Sequence, residues 1–130
     1  MLTLEVITPV GSELSVKAQT ITAPGSEGEF QVLPSHLPAL VLLGGGTLKY
    51  ASGSEEGQLF IRGGVVEVSP QGHVLVLTEE VQKPDQLDLE RAEQLKATSE
   101  KALADDQYLT DARLSQIHQD MMFAKAVLNA

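Results

Sequence analysis

Three histidines are the first place to look for an acid, a base or a metal ligand. They are His36 between Pro34 and Pro38, His73 after Gly72, and His118 in a stretch of helical periodicity. No two stand four apart, the spacing that would set a pair on one helix face, and none belongs to a metal-protease motif. Loop packing accounts for His36 and solvent exposure for the other two. Carboxylates occur as the adjacent pairs Glu55-Glu56 and Glu79-Glu80, but neighbours in a strand or turn point in different directions. They read as solvated surface, not as an acid–base couple. No serine lies in a nucleophile elbow. Gly44-Gly45-Gly46 and Gly63-Gly64 lack the Lys-Ser/Thr that would complete a phosphate loop. Both read as turns between strands, with Arg62 as a surface residue beside the second. No catalytic residue and no metal ligand is expected.

Composition narrows the remaining classes. Of 130 residues 42% are hydrophobic and only 4% aromatic, with no Trp, so Val, Leu, Ile and Ala must fill the core. Nine basic residues against 18 acidic ones leave a formal charge of −9. Such a chain is repelled by the phosphates of nucleic acid and by anionic lipid, so neither is expected as its main partner. The absence of Cys excludes a disulfide framework, thiol catalysis and a thiolate zinc site. The longest apolar run, residues 37–43, is broken by Pro38 and too short to span a bilayer. Strand patterning begins at Leu2, so no signal peptide is expected. A soluble protein is expected, one that reaches a membrane only through other chains.

The chain changes character near Pro84. All 11 glycines and the other five prolines lie before it, and neither residue follows it. Regular turn residues that then vanish predict many short strands followed by helices. The strand candidates are 2–8, 14–18 continuing through Ile21, 29–33, 39–43, 47–51, 58–62, 64–69 and 73–78. Val74, Val76 and Thr78 share one face of the last, and Leu75 and Leu77 the other, so burial on both sides is expected. The Pro24-Gly25 pair predicts a tight turn with positive φ at the glycine. Leu89, Ala92, Leu95, Ala102 and Leu103 mark a first helical stripe, with Asp88 as N-cap and Leu87 stapled onto Ala92. Leu109, Ala112, Ile117, Met121, Ala124 and Leu128 mark a second. The short polar link at residues 105–108 forces an antiparallel return. The expected fold is β + α: an antiparallel β-sandwich of about eight to ten short strands over residues 1–84, then an antiparallel two-helix hairpin over residues 85–130.

Three stretches resemble the epsilon subunits of bacterial F-type ATP synthases. Ala23-Pro24-Gly25-Ser26-Glu27-Gly28-Glu29-Phe30-Gln31-Val32-Leu33-Pro34-Ser35-His36-Leu37-Pro38-Ala39-Leu40 is similar to that family's APGxxGEFGVLPGHxPLL signature, with Gln31 and Ser35 where Gly is usual. Gly63-Gly64-Val65-Val66-Glu67-Val68-Ser69-Pro70 resembles its second sandwich signature, and Leu87-Asp88-Leu89-Glu90-Arg91-Ala92 the (I/L)DxxRA start of its first helix. The resemblance implies a non-catalytic rotor subunit of the central stalk at the cytoplasmic face of the bacterial membrane. Its sandwich would grip the gamma subunit and its loop would face the c-ring. It places ring or gamma contacts at Glu27, Glu29, Phe30 and His36. It also implies a hairpin that can dock on the sandwich or extend into the alpha/beta hexamer. Some relatives bind ATP as a regulatory ligand, and Asp88 and Arg91 match the motif for it; the second-helix arginines that would complete the site have no counterpart. Only Arg113 and Lys125 are basic within residues 111–128, so inhibition through a basic helix face is expected to be weak. The alternative from another class is a free-standing sandwich adaptor that dimerises through its hairpin.

Overall fold

The computed structural model describes residues 1–34, 38–105 and 109–130. Eight strands precede two helices: β1 (Leu2–Thr8), β2 (Gly11–Ala18), β3 (Thr20–Gly25), β4 (Gly28–Val32), β5 (Ala39–Ser52), β6 (Glu55–Val68), β7 (His73–Leu77) and β8 (Val81–Gln82), then α1 (Leu89–Asp105) and α2 (Asp111–Leu128). The strands pair in the order β2-β1-β7-β6-β5-β3-β4, with β8 on β6. All pairings are antiparallel except β1 with β7.

Two expected strand pairs proved to be single long strands. Segments 39–43 and 47–51 are halves of β5, and 58–62 and 64–69 correspond to halves of β6. The glycine runs between them are not chain reversals. They are creases, where the paired strands bend together between Leu43↔Gly64 and Gly45↔Arg62. Glycine suits a crease because it has no Cβ to obstruct a sharply coiled ladder. One continuous sheet thereby folds over on itself and encloses a core. Leu2, Leu4, Val6, Val74 and Val76 from one end meet Ile21, Val32, Leu48, Leu59 and Ile61 from the other. The alternation read in residues 2–8 is obeyed, with Leu2, Leu4, Val6 and Thr8 inward. On β7 the inward face is Val74 and Val76, while Leu77 is 44% exposed, so burial on both sides does not hold.

The Pro24-Gly25 turn is also displaced. Strand β3 runs through Gly25, the reversal falls at Ser26-Glu27, and the positive φ of 134° belongs to Gly28. Gly25 is required for another reason: a Cβ there would strike the Gly28 carbonyl and lie 3.0 Å from the Phe30 ring.

Helix α1 starts where expected. The Asp88 carboxylate accepts from Arg91 N at 2.9 Å, the N-cap hydrogen bond, and Leu87 packs in the same cluster as Ala92. Helix α2 is capped by Thr110, whose hydroxyl accepts from Arg113 N at 3.1 Å. The stripes are less regular than the sequence suggests. Ala92, Leu95 and Ser99 are buried on α1, and Ile117, Asp120, Phe123, Ala124 and Val127 on α2, whereas Leu89, Leu103 and Ala112 are exposed. Phe123 and Val127, absent from the expected stripe, are fully buried because α2 packs on β5 and β6 as well as on α1. Among the described residues no helix is long and apolar enough to cross a membrane.

Candidate interaction surfaces

The hairpin sits on the sandwich through a second, smaller cluster: Phe60, Ala92, Leu95, Phe123, Ala124 and Val127. Alternation along β6 creates it. Leu59 and Ile61 point into the sheet core, so Phe60 between them must point out, and the hairpin covers it. Close approach is set by Gly45. A Cβ there would overlap the Gln119 carbonyl and stand 2.8 Å from Phe123 N, both backbone atoms of α2.

Beside this apolar contact runs a chain of alternating charges. Arg62 Nε donates to Asp120 Oδ1 on α2 at 2.6 Å, and Arg62 Nη1 donates to Glu80 Oε1 at 3.3 Å. Glu80 in turn accepts from Arg91 on α1, from Nη2 at 2.9 Å and Nε at 3.3 Å. The hydrogen bond to Asp120, aided by the charges of Asp120 and Glu80, raises Arg62 above its ordinary value against the opposing effect of burial. The hydrogen bond to Glu80 raises Arg91 likewise. Gln116 Nε2 donates to Asp120 at 2.9 Å. The buried Gln82 holds the start of α1, accepting from Asp88 N at 2.8 Å.

These residues correct two expectations. Arg62 is expected as a surface residue and Glu80 as part of a solvated carboxylate pair; instead they tie the sandwich to both helices. A signal was available. Asp120 is a carboxylate on the apolar face between Ile117 and Phe123-Ala124, and a charge there requires a partner.

Of the ring or gamma contacts, Glu27 and Glu29 are exposed at the β3–β4 hairpin, while Phe30 is half-buried against the sheet core. His36 lies outside the described residues. Asp88 serves as the cap and Arg91 is engaged by Glu80, so the two side chains expected at nucleotide both have internal partners. Among the described residues no group of three His, Cys, Asp or Glu side chains could hold a metal.

A further surface has no cover among the described residues. On the outer side of the other layer, register aligns Leu42, Val65, Leu77 and Ile7 across four strands. The next row on the same side reads Leu40, Glu67, Leu75 and Glu5. Leu40 is 72% exposed and Leu42 62%. A contiguous apolar face of this kind marks an interaction site.

A creased β-sandwich that carries a docked two-helix hairpin and exposes one apolar sheet face defines the class of this protein. Comparison with known proteins gives its family. Residues 1–84 match the family described as the β-sandwich domain of the ATP synthase delta/epsilon chain. The chain is 44% identical over 104 residues to the ATP synthase epsilon chain of Desulforapulum autotrophicum, covering 78% of this chain and 76% of that one. It is 41% identical over 101 residues to the epsilon chain of Nitratidesulfovibrio vulgaris, covering 78% and 75%. Its fold matches a chain of the Euglena gracilis mitochondrial ATP synthase structure of OSCP, F1 and c-ring, with a TM-score of 0.70 at 25% identity over 98% of this chain and 79% of that one. A chain of the Tetrahymena thermophila mitochondrial ATP synthase central stalk and c-ring shares the fold at a TM-score of 0.64 and 18% identity, covering 97% and 96%. The chain belongs to the family of ATP synthase epsilon chains.

Proposed function

We propose that the chain is a non-catalytic rotor subunit of a bacterial F-type ATP synthase, seated in the central stalk between the gamma subunit and the c-ring. The observation that carries this reading is the apolar sheet face on which Leu40, Leu42 and Leu77 stand exposed beside the half-buried Val65 and Leu75. One outer face of the folded sheet is already covered by the chain's own hairpin; the other is apolar and requires a partner of its own. Gamma is assigned to that face. The exposed carboxylates Glu27 and Glu29, on the β3–β4 hairpin, are assigned to the ring, together with His36. The complex holds the chain at the cytoplasmic side of the membrane, and the hairpin's excursion toward the alpha/beta hexamer is its regulatory movement.

Two measurements test the assignment. Wild-type chain should co-purify with gamma, whereas Leu42→Asp/Leu77→Asp should lose about 2–4 kcal/mol of affinity, because two charges would enter an apolar contact. Unchanged thermal melting of the variant would show that only the surface was altered. A stable homodimer that ignores gamma would favour the adaptor reading. In the assembled enzyme, Glu29→Lys should reduce ATP-driven proton pumping while ATP hydrolysis continues. Normal pumping in that variant would remove Glu29 from the ring contact.

A further inference from the structure

We propose that Asp120, Arg62, Glu80 and Arg91 form an electrostatic latch that holds the two helices by separate arms, and that rising ionic strength releases the α1 arm before the α2 arm. The latch belongs to the chain on its own and does not rest on the assignment to a rotor.

The four charges alternate in space and sum to zero, and the two inner members belong to the sandwich side. Arg62 lies on β6, with its N–H donating to the Glu80 carbonyl at 3.1 Å, so the two inner charges are also tied through the backbone. Each outer member lies on a different helix: Asp120 on α2 and Arg91 on α1. The arms differ in exposure. Side chains of the α2 arm, Arg62 and Asp120, are 20% and 10% exposed, against 39% for Arg91 and 25% for Glu80. Salt screens an exposed pair strongly and a sheltered pair much less. The Arg91–Glu80 arm should therefore weaken first, while the Arg62–Asp120 arm, with its shorter contact and the added Gln116 donor, persists.

The inner residues are also the ones whose loss does most. Without Arg62, the sheltered Asp120 carboxylate faces Glu80 with no cation between them, a state relieved only when α2 leaves. Without Glu80, two guanidiniums confront each other. Removing both ends of the α2 arm is far milder, because no unpaired charge is left behind.

The chain has no cysteine, so probes can be placed at will in the full-length protein. Ser54→Cys with Glu93→Cys reports on α1, and Ser54→Cys with Ser115→Cys reports on α2; all three positions are exposed. Inter-probe distances are followed from low salt to about 1 M NaCl, where the screening length falls to roughly 3 Å. The expected result is that the α1 distance changes at lower salt than the α2 distance. Arg62→Gln should raise the undocked fraction of α2 about tenfold at low salt and flatten its salt response, and Arg62→Gln/Asp120→Asn should dock better than Arg62→Gln alone. Simultaneous release of both helices, or a salt-independent wild type, would overturn the ordered latch without any substitution. A double variant that docks no better than Arg62→Gln would show packing, not charge, to be the cause. Neither outcome bears on gamma binding.

Discussion

Replacing Gly45 with alanine should free the hairpin while leaving the sandwich folded. The added methyl group would occupy the space of the Gln119 carbonyl and crowd Phe123 N, atoms fixed in the backbone of α2. No rotamer change can yield that space; the helix must move as a body. Gly45 is not among the glycines with positive φ, so alanine brings no backbone strain to β5 itself. The whole effect therefore falls on docking. Overpacking of a tight contact costs about 1–3 kcal/mol or more, and at about tenfold per 1.4 kcal/mol the undocked population should rise by roughly 5- to 150-fold. Amide exchange in residues 117–127 should accelerate by that factor, while β1 and β7 exchange as before. Wild-type protection of α2 in this variant would mean that the hairpin does not rest on Gly45.

Gly64→Ala, across the same crease, should instead destabilise the sandwich. Here φ is +125°, a conformation that side-chain-bearing residues rarely adopt, and the new Cβ would overlap the Leu77 carbonyl and lie 3.0 Å from Thr78 Cα. Strain of about 1–3 kcal/mol adds to overpacking of about 1–3 kcal/mol. Against a typical stability of about 5–15 kcal/mol, such a loss should lower Tm by roughly 10–20 °C. Both β-sheet and helix signals should fall together, because the hairpin has nothing to dock on once the crease opens. A variant melting within a few degrees of wild type would show that β7 can shift to accept the methyl group. The pair of substitutions separates two jobs that adjacent glycine runs perform in one bend.

A free hairpin and a docked one differ in modest terms. Phe60, Phe123 and Val127 supply the apolar contact and the charge chain an ionic one. The two phenylalanines make this contact more aromatic than an alanine-rich seam would be. Docking of that mixed kind can be shifted by a partner that binds one state better than the other.

Much of this architecture was legible in the chain of residues, because it rests on local periodicity. Period two in residues 2–8, helical spacing after Pro84, the Asp88 cap and the Leu87 staple all depend on near neighbours alone. The motifs that resemble the epsilon family were legible for the same reason. What the tertiary structure decided are the relations between distant residues. Glycine runs that read as turns became creases only because β5 and β6 pair through them, a fact of register and not of composition. Arg62 and Asp120 lie 58 residues apart; the helix pattern says that Asp120 needs a partner, but nothing local says which one. Phe60 looked like one more strand residue until helices from the far end of the chain covered it. Long-range contact is where burial and electrostatics are settled, since a side chain's neighbours across a fold are not its neighbours in sequence.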